Sequence, residues 1–197
     1  MNGTNAIVIA TALAAVLAIS MIVTPAAFAA SGIHDKKGDT SNPNFDIRRA
    51  GFDHNGNPFL TVQGTAGGTT SGEGCSPAYA YVFAYDNGDH FAVASHDCFS
   101  DSNEGNGGSD WHAHGITVTT NVGNTGHFAC LTGANEDGDA SVSGKRVTLN
   151  NVEEESGLDH VATVTIVGGA PAGDCPGILG GGTVALYVDV LDIATGS

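Results

Sequence analysis

The chain has 197 residues, and its 21 acidic and 6 basic side chains give a formal net charge of −15 at pH 7. Nucleic acids and anionic membranes bind clusters of basic side chains, so this charge balance argues against both kinds of partner. It favours cations, cationic surfaces or solubility in saline water.

The N-terminal segment predicts where the protein is located. Residues 6–24 contain no charged side chain, and Ala27-Phe28-Ala29 after Pro25 is typical of a signal-peptide cleavage site. We therefore predict a signal peptide over residues 1–29 and a secreted or cell-surface protein, with no membrane insertion after cleavage. The apolar run is also long enough to span a bilayer, so a retained anchor is the alternative.

The remainder of the chain predicts a single β-domain. Residues 30–45 are polar and rich in turn-forming residues, which indicates a flexible leader. After Asp46, short apolar segments alternate with turns, and the chain's 29 glycines favour turns over helices. We predict an all-β antiparallel sandwich or barrel of about eight to ten short strands over residues 46–197.

The clearest predicted element is a hairpin that joins residues 79–85 to residues 90–96 around Asn87-Gly88. Asn-Gly between alternating apolar residues is the strongest short-range hairpin signal, because both turn positions need positive φ. With a two-residue turn, Tyr85 would lie opposite His90.

Four cysteines follow the predicted cleavage site, namely Cys75, Cys98, Cys130 and Cys175. An even number of cysteines in an exported chain favours two disulfides, for which three pairings exist. The predicted hairpin brings Cys75 close to Cys98, so we prefer the pairs Cys75–Cys98 and Cys130–Cys175 and leave the other pairings open.

The pentapeptide Asp110–His114 begins another predicted strand and contains a His-x-His pair. Side chains alternate between the two faces of a strand, so His112 and His114 share one face with Ile116 and Val118. Two imidazoles at the start of the apolar face can chelate one metal ion, or can form a hydrogen-bonded pair at the rim of the core.

A third histidine joins this pair if successive strands alternate in direction. His96 then lies at the same end of the domain as His112 and His114, and Asp97 or Asp110 can serve as a fourth ligand or as a neighbouring group. Imidazoles with at most one carboxylate suit copper or zinc, which are the predicted cofactors. A second possible cluster at the opposite end contains His90, His127 and His160.

Acidic turns offer calcium as another possible cofactor. Asp53-x-Asn55-x-Asn57 and Asp101-x-Asn103 resemble the start of an oxygen-ligand loop, although neither is followed by a glutamate at EF-hand spacing. The same residue types are also what tight hairpin turns require.

Trp111-His112-Ala113-His114 resembles one of the short copper motifs of multicopper oxidases, over these four residues. The further motifs of those enzymes are absent from the chain, so their activity is not carried over. The His-x-His strand is also similar to that of copper-zinc superoxide dismutase, an antiparallel β-barrel. In its overall character the chain resembles the secreted, acidic β-proteins of ammonia-oxidising archaea, a resemblance that implies no particular activity.

The sequence has no Gly-x-Ser-x-Gly, His-Glu-x-x-His, phosphate-loop or dinucleotide motif, so it predicts no specific enzymatic reaction. We expect a secreted or cell-surface domain that binds a transition metal, copper before zinc, for capture, delivery or buffering. One alternative is a structural or adhesive module that binds a cell-envelope partner and no metal. The other is a small redox metalloenzyme that uses the same histidines.

Overall fold

The computed structural model describes residues 32–70, 77–96, 111–120, 122, 126–136, 138–152, 157–178 and 181–196. These residues lie in one unit, Ser31–Ser197. The described part is all-β, as the sequence predicts, and it contains no helix of the length and apolarity that a membrane span requires.

Eleven strands occur in the described residues. Their bounds are β1 (Ile33–His34), β2 (Ile47–Phe52), β3 (Pro58–Val62), β4 (Ala78–Tyr85), β5 (His90–Ser95), β6 (His112–Thr119), β7 (Ala129–Glu136), β8 (Asp139–Ser143), β9 (Arg146–Asn150), β10 (Leu158–Gly169) and β11 (Ala185–Thr195). One sheet has the order β1-β2-β3-β9-β8, and the other six strands close into an antiparallel barrel of order β10-β11-β7-β6-β5-β4.

Strand β10 closes the barrel, because it pairs with β4 on one side and with β11 on the other. Val161 in β10, for example, lies between Phe83 of β4 and Ala194 of β11. Closure gives each of the six strands two hydrogen-bonded neighbours, so the barrel has no free sheet edge along its paired length.

The inward-facing side chains of the barrel are small or aliphatic. They form one apolar cluster inside the closed barrel, to which five strands contribute buried side chains and β6 contributes the partly buried Ile116 and Val118. Its buried members are Ala80, Val82, Ala92, Ala94, Ala129, Leu131, Ala162, Val164, Leu186 and Val188.

The outer face of β4, β5 and β10 packs against the five-stranded sheet and forms the second, larger core. Its fully buried large side chains include Tyr81, Phe83, Leu60 and Leu149. Two polar contacts also join the segment around β2 to the barrel. The Thr163 hydroxyl donates to the Phe45 carbonyl at 2.9 Å, and the Ile47 N–H donates to Asp192 Oδ2 at 2.7 Å.

From residue 32 onward, the segment that the sequence predicts as a flexible leader is packed against the domain. Ile33 pairs with Ala50, and its side chain is buried. Phe45 is fully buried and stacks on Tyr79, with 4.9 Å between the ring centroids. The segment is polar overall, and its two large apolar side chains, Ile33 and Phe45, attach it to the domain.

The predicted hairpin is present, but its register differs by one residue. Ala84 lies opposite His90, and the Tyr85 N–H donates to the Asp89 carbonyl at 2.9 Å. The loop therefore has three residues, and Gly88 at its end has a φ of 95°. A three-residue loop needs positive φ at this last position alone, which glycine adopts without strain, whereas the predicted two-residue turn would need it twice.

Candidate metal centre

Three inward-facing histidines meet at one end of the barrel. His96 directly follows β5, while His112 and His114 lie in the neighbouring strand β6. His112 is paired with Ala94 and His114 with Ala92, which are both members of the cluster inside the barrel. The alternation of β6 therefore places both imidazoles inside, as the sequence predicts.

The ring nitrogens of these histidines lie close together. His96 Nε2 is 3.0 Å from His112 Nε2 and 3.3 Å from His114 Nε2. Each of the three rings offers a nitrogen within 4.8 Å of the others, and the three residues are buried, with exposed fractions of 6%, 8% and 9% for His96, His112 and His114. The group could hold a metal ion.

The spacing fits a metal ion bound by imidazoles. Two nitrogens that bind zinc at about 2.0–2.1 Å in a tetrahedral site are ~3.3 Å apart. Adjacent positions of a square-planar copper(II) ion at the same bond length are ~2.8 Å apart. The observed 3.0 and 3.3 Å lie in this range.

A hydrogen-bonded trio without metal would also bring such nitrogens together. A neutral imidazole nitrogen either donates or accepts, so His96 Nε2 could accept from both neighbours, or donate to one of them. The two explanations differ in one measurable respect, because only a metal site binds an added ion tightly.

An aromatic pair on the outer face supports the start of β6. Trp111 packs on Tyr81 with 4.9 Å between ring centroids, directly before His112. The Tyr81 hydroxyl donates to the Asn44 carbonyl at 3.0 Å and accepts from the Gly67 N–H at 2.9 Å. Burial raises the pKa of Tyr81 to about 12, although the Gly67 bond lowers it, so the hydroxyl stays protonated.

The second predicted cluster is only partly assembled. The rings of His90 and His160 have centroids 6.5 Å apart at the other end of the barrel. His127 instead stacks on Tyr187, and its Nδ1 is 2.9 Å from Asp189 Oδ2. His127 lies before β7 begins, so strand alternation does not fix the direction of its side chain.

Three carboxylates form a group that the sequence did not reveal. Oxygens of Asp35, Asp39 and Asp192 lie within 4.8 Å of one another and could hold a metal ion. Burial raises the pKa of Asp192, the hydrogen bond from the Ile47 N–H lowers it, and the charges of Asp35 and Asp39 raise it, with a net value of about 6. The group was missed because two of its members lie in the segment predicted as a leader.

The first of the two predicted calcium turns is closed by its own hydrogen bonds. Asp53 Oδ1 accepts the N–H groups of Asn55 and Asn57 at 2.8 and 3.0 Å, and Arg146 lies 3.8 Å from Oδ2. Burial raises the pKa of Asp53, but these hydrogen bonds and the nearby positive charges outweigh it, so the pKa falls below its usual value. The carboxylate therefore acts as the acceptor of a tight turn.

Cys130 and Cys175 are free thiols in this structure, so the disulfide predicted between them is not formed here. Both are buried in one cluster with Tyr187. Burial and the neighbouring Cys130 together raise the pKa of Cys175 to about 12. Six further residues that the sequence predicts as metal ligands or disulfide partners lie outside the described part of the chain, namely Cys75, Asp97, Cys98, Asp101, Asn103 and Asp110.

A cavity of about 480 Å³ lies inside the barrel and reaches His96 and His114. The other described residues that line it are mainly aliphatic, and they include Ala94, Ile116 and Leu186. A metal ion held by the histidines would therefore border a largely apolar space.

Comparison with known proteins finds no match, whether among protein-family models, curated proteins or solved structures. The resemblances of the Trp-His-Ala-His stretch therefore stay expectations. A function for this chain has to come from the geometry of its own residues.

Proposed function

We propose that the protein is a secreted or cell-surface copper-binding protein that holds one ion between His96, His112 and His114. The observation that carries this proposal is the spacing of the buried Nε2 atoms. His96 Nε2 lies 3.0 Å from His112 Nε2 and 3.3 Å from His114 Nε2. Burying a polar group costs free energy unless the group has a bonding partner, and one metal ion would be the partner of all three imidazoles.

The ligand set favours copper over zinc. Imidazole binds both metals, and for a given site the affinity of divalent first-row metals is highest for copper(II). Zinc is the second candidate, because a tetrahedral site with three histidines also suits it. The role that follows is the capture, delivery or buffering of copper outside the cell.

Two further features support this location and role. Residues 6–24 followed by Ala27-Phe28-Ala29 favour export. The net charge of −15 raises the local concentration of cations around the protein, which favours metal capture.

The test is a titration of the purified full chain with copper(II) and with zinc, against a competing chelator of known affinity. We expect one ion per chain, and a loss of affinity of at least about 100-fold in His112→Ala and His114→Ala, since even losing an outer partner of a ligand costs 10–100-fold. His54→Ala is the matched control, because His54 is exposed in the turn after β2. Circular dichroism shows whether each variant is folded.

Equal binding by wild type and variants, or binding weaker than about micromolar (about −8 kcal/mol), would overturn the proposal. The histidines would then be a hydrogen-bonded trio, and a cell-envelope module that assembles into filaments or arrays would become the leading hypothesis. Redox turnover by the copper-loaded chain, lost in the same variants, would instead identify a metalloenzyme.

A further inference from the structure

The barrel interior is hollow along much of its length. Besides the cavity of about 480 Å³ at the histidine group, a second cavity of about 230 Å³ lies towards the other end of the barrel. The two share four aliphatic lining residues, namely Ala92, Ile116, Leu131 and Ile166. They therefore adjoin each other, and we call the combined space the barrel chamber.

Small side chains create this space. Ala80, Ala92, Ala129 and Ala162 occupy inward positions on four different strands, where larger aliphatic residues would fill the barrel. Protein interiors are normally packed to high density, and empty apolar space destabilises a fold because the lining atoms lack contacts. A ligand in the chamber would restore those contacts.

The polarity of the wall restricts what such a ligand can be. The described residues of the chamber wall include no aspartate or glutamate, and most are alanine, valine, leucine or isoleucine. Imidazoles lie at its two ends, His96 and His114 at one and His90 and His160 at the other. Phe128 and Ile193, which are exposed large apolar residues of the described part of the chain, line the second cavity.

The metal ion adds a further requirement. A divalent ion held by three neutral imidazoles keeps its full positive charge, and a buried charge is costly without a counter-charge. Three protein ligands also leave a coordination position open. An anionic oxygen on an apolar chain would satisfy both conditions, since its head would bind the ion and its chain would fill the chamber.

We propose that the barrel chamber binds a medium-chain carboxylate, with the head on the metal ion held by His96, His112 and His114 and the chain directed towards Phe128. This inference rests on the proposed copper site for the head group. The aliphatic wall selects the chain by its length rather than by hydrogen bonds, so affinity should increase by ~fourfold for each added methylene until the chamber is full.

Calorimetric titration of the full chain with hexanoate, octanoate and decanoate tests this proposal, with and without copper. We expect decanoate to bind most tightly to the copper-loaded protein and at least tenfold more weakly to the metal-free protein. Ala162→Phe fills the second cavity from β10 and should weaken decanoate binding at least tenfold, while copper affinity stays unchanged. Thr117→Phe is the control, because it adds the same ring on the exposed face of β6.

If Ala162→Phe does not fold, Ala80→Leu adds less volume to the same cavity wall and should weaken decanoate binding in the same direction. Copper binding without decanoate binding would overturn the inference and leave the proposed function intact. The same holds if the affinity for the carboxylates depends neither on chain length nor on the cavity-filling substitution. Absence of copper binding is measured separately and overturns the proposed function together with the head-group contact.

Discussion

His112 Nε2 lies 3.0 Å from His96 Nε2, although 16 positions separate the two residues along the chain. Both side chains are buried inside the barrel, where their other neighbours are mainly aliphatic. In such surroundings the nitrogens stay paired, either through a shared proton or through a metal ion. An ion that binds the folded state alone must stabilise it.

Copper should therefore raise the melting temperature. At a free concentration of about 100 times the Kd, binding contributes about 2.7 kcal/mol, which corresponds to a rise of about 5–10 °C for a domain of this size. Thermal unfolding followed by circular dichroism measures the shift, and excess chelator should reverse it. A rise of equal size in His114→Ala would show that the ion binds elsewhere.

The sequence alone predicted the position of these histidines for a local reason. Alternation along β6 places His112 and His114 on one face, and an up-and-down order of neighbouring strands brings the end of β5 beside the start of β6. His96 joined the group by this argument, and the structure confirms it. Each step depends on strands that are adjacent in the sequence.

Relationships between distant segments were not predictable in this way. Barrel closure pairs Val161 with Phe83, and the carboxylate group joins Asp35 to Asp192. No periodicity in the sequence indicates which remote strands become neighbours, so the choice between sandwich and barrel stayed open. The chamber was not predictable either, because it depends on closure of the barrel. An alanine on one strand indicates a cavity only when the strands that face it are known.

The thiols of Cys130 and Cys175 should react slowly in the native protein. Both are buried, and the pKa of Cys175 is raised to about 12 by burial and by Cys130, so little thiolate is present at neutral pH. Alkylation followed by peptide mass mapping should show protection in buffer and full modification in denaturant. Protection that persists in denaturant until a reductant is added would instead support the disulfide predicted from the sequence.

Tyr81→Phe should destabilise the protein by about 1–3 kcal/mol, because it leaves the Asn44 carbonyl and the Gly67 N–H without their buried partner. Chemical denaturation measures the change in the free energy of unfolding. Tyr79→Phe on the same strand is the control, since Tyr79 is partly exposed. Copper affinity should change little in Tyr81→Phe, because the ring that packs against Trp111 remains; a loss comparable to that of His112→Ala would contradict this separation.

Asp192 should make the protein less stable as the pH rises from about 4 to about 6. Burial and the charges of Asp35 and Asp39 raise its folded-state pKa from 3.8 to about 6, so in this window the folded state keeps a proton that the unfolded state releases. The contribution of Asp192 to stability is therefore highest below pH 4, falls through the window and stays lower above it. Asp192→Asn retains an acceptor for the Ile47 N–H and removes the charge. In the presence of chelator, the melting temperatures of the wild type and Asp192→Asn should thus agree near pH 4, and the variant should melt at a higher temperature above pH 6. The same result for the exposed Asp89→Asn would show that the effect is not specific to the buried carboxylate.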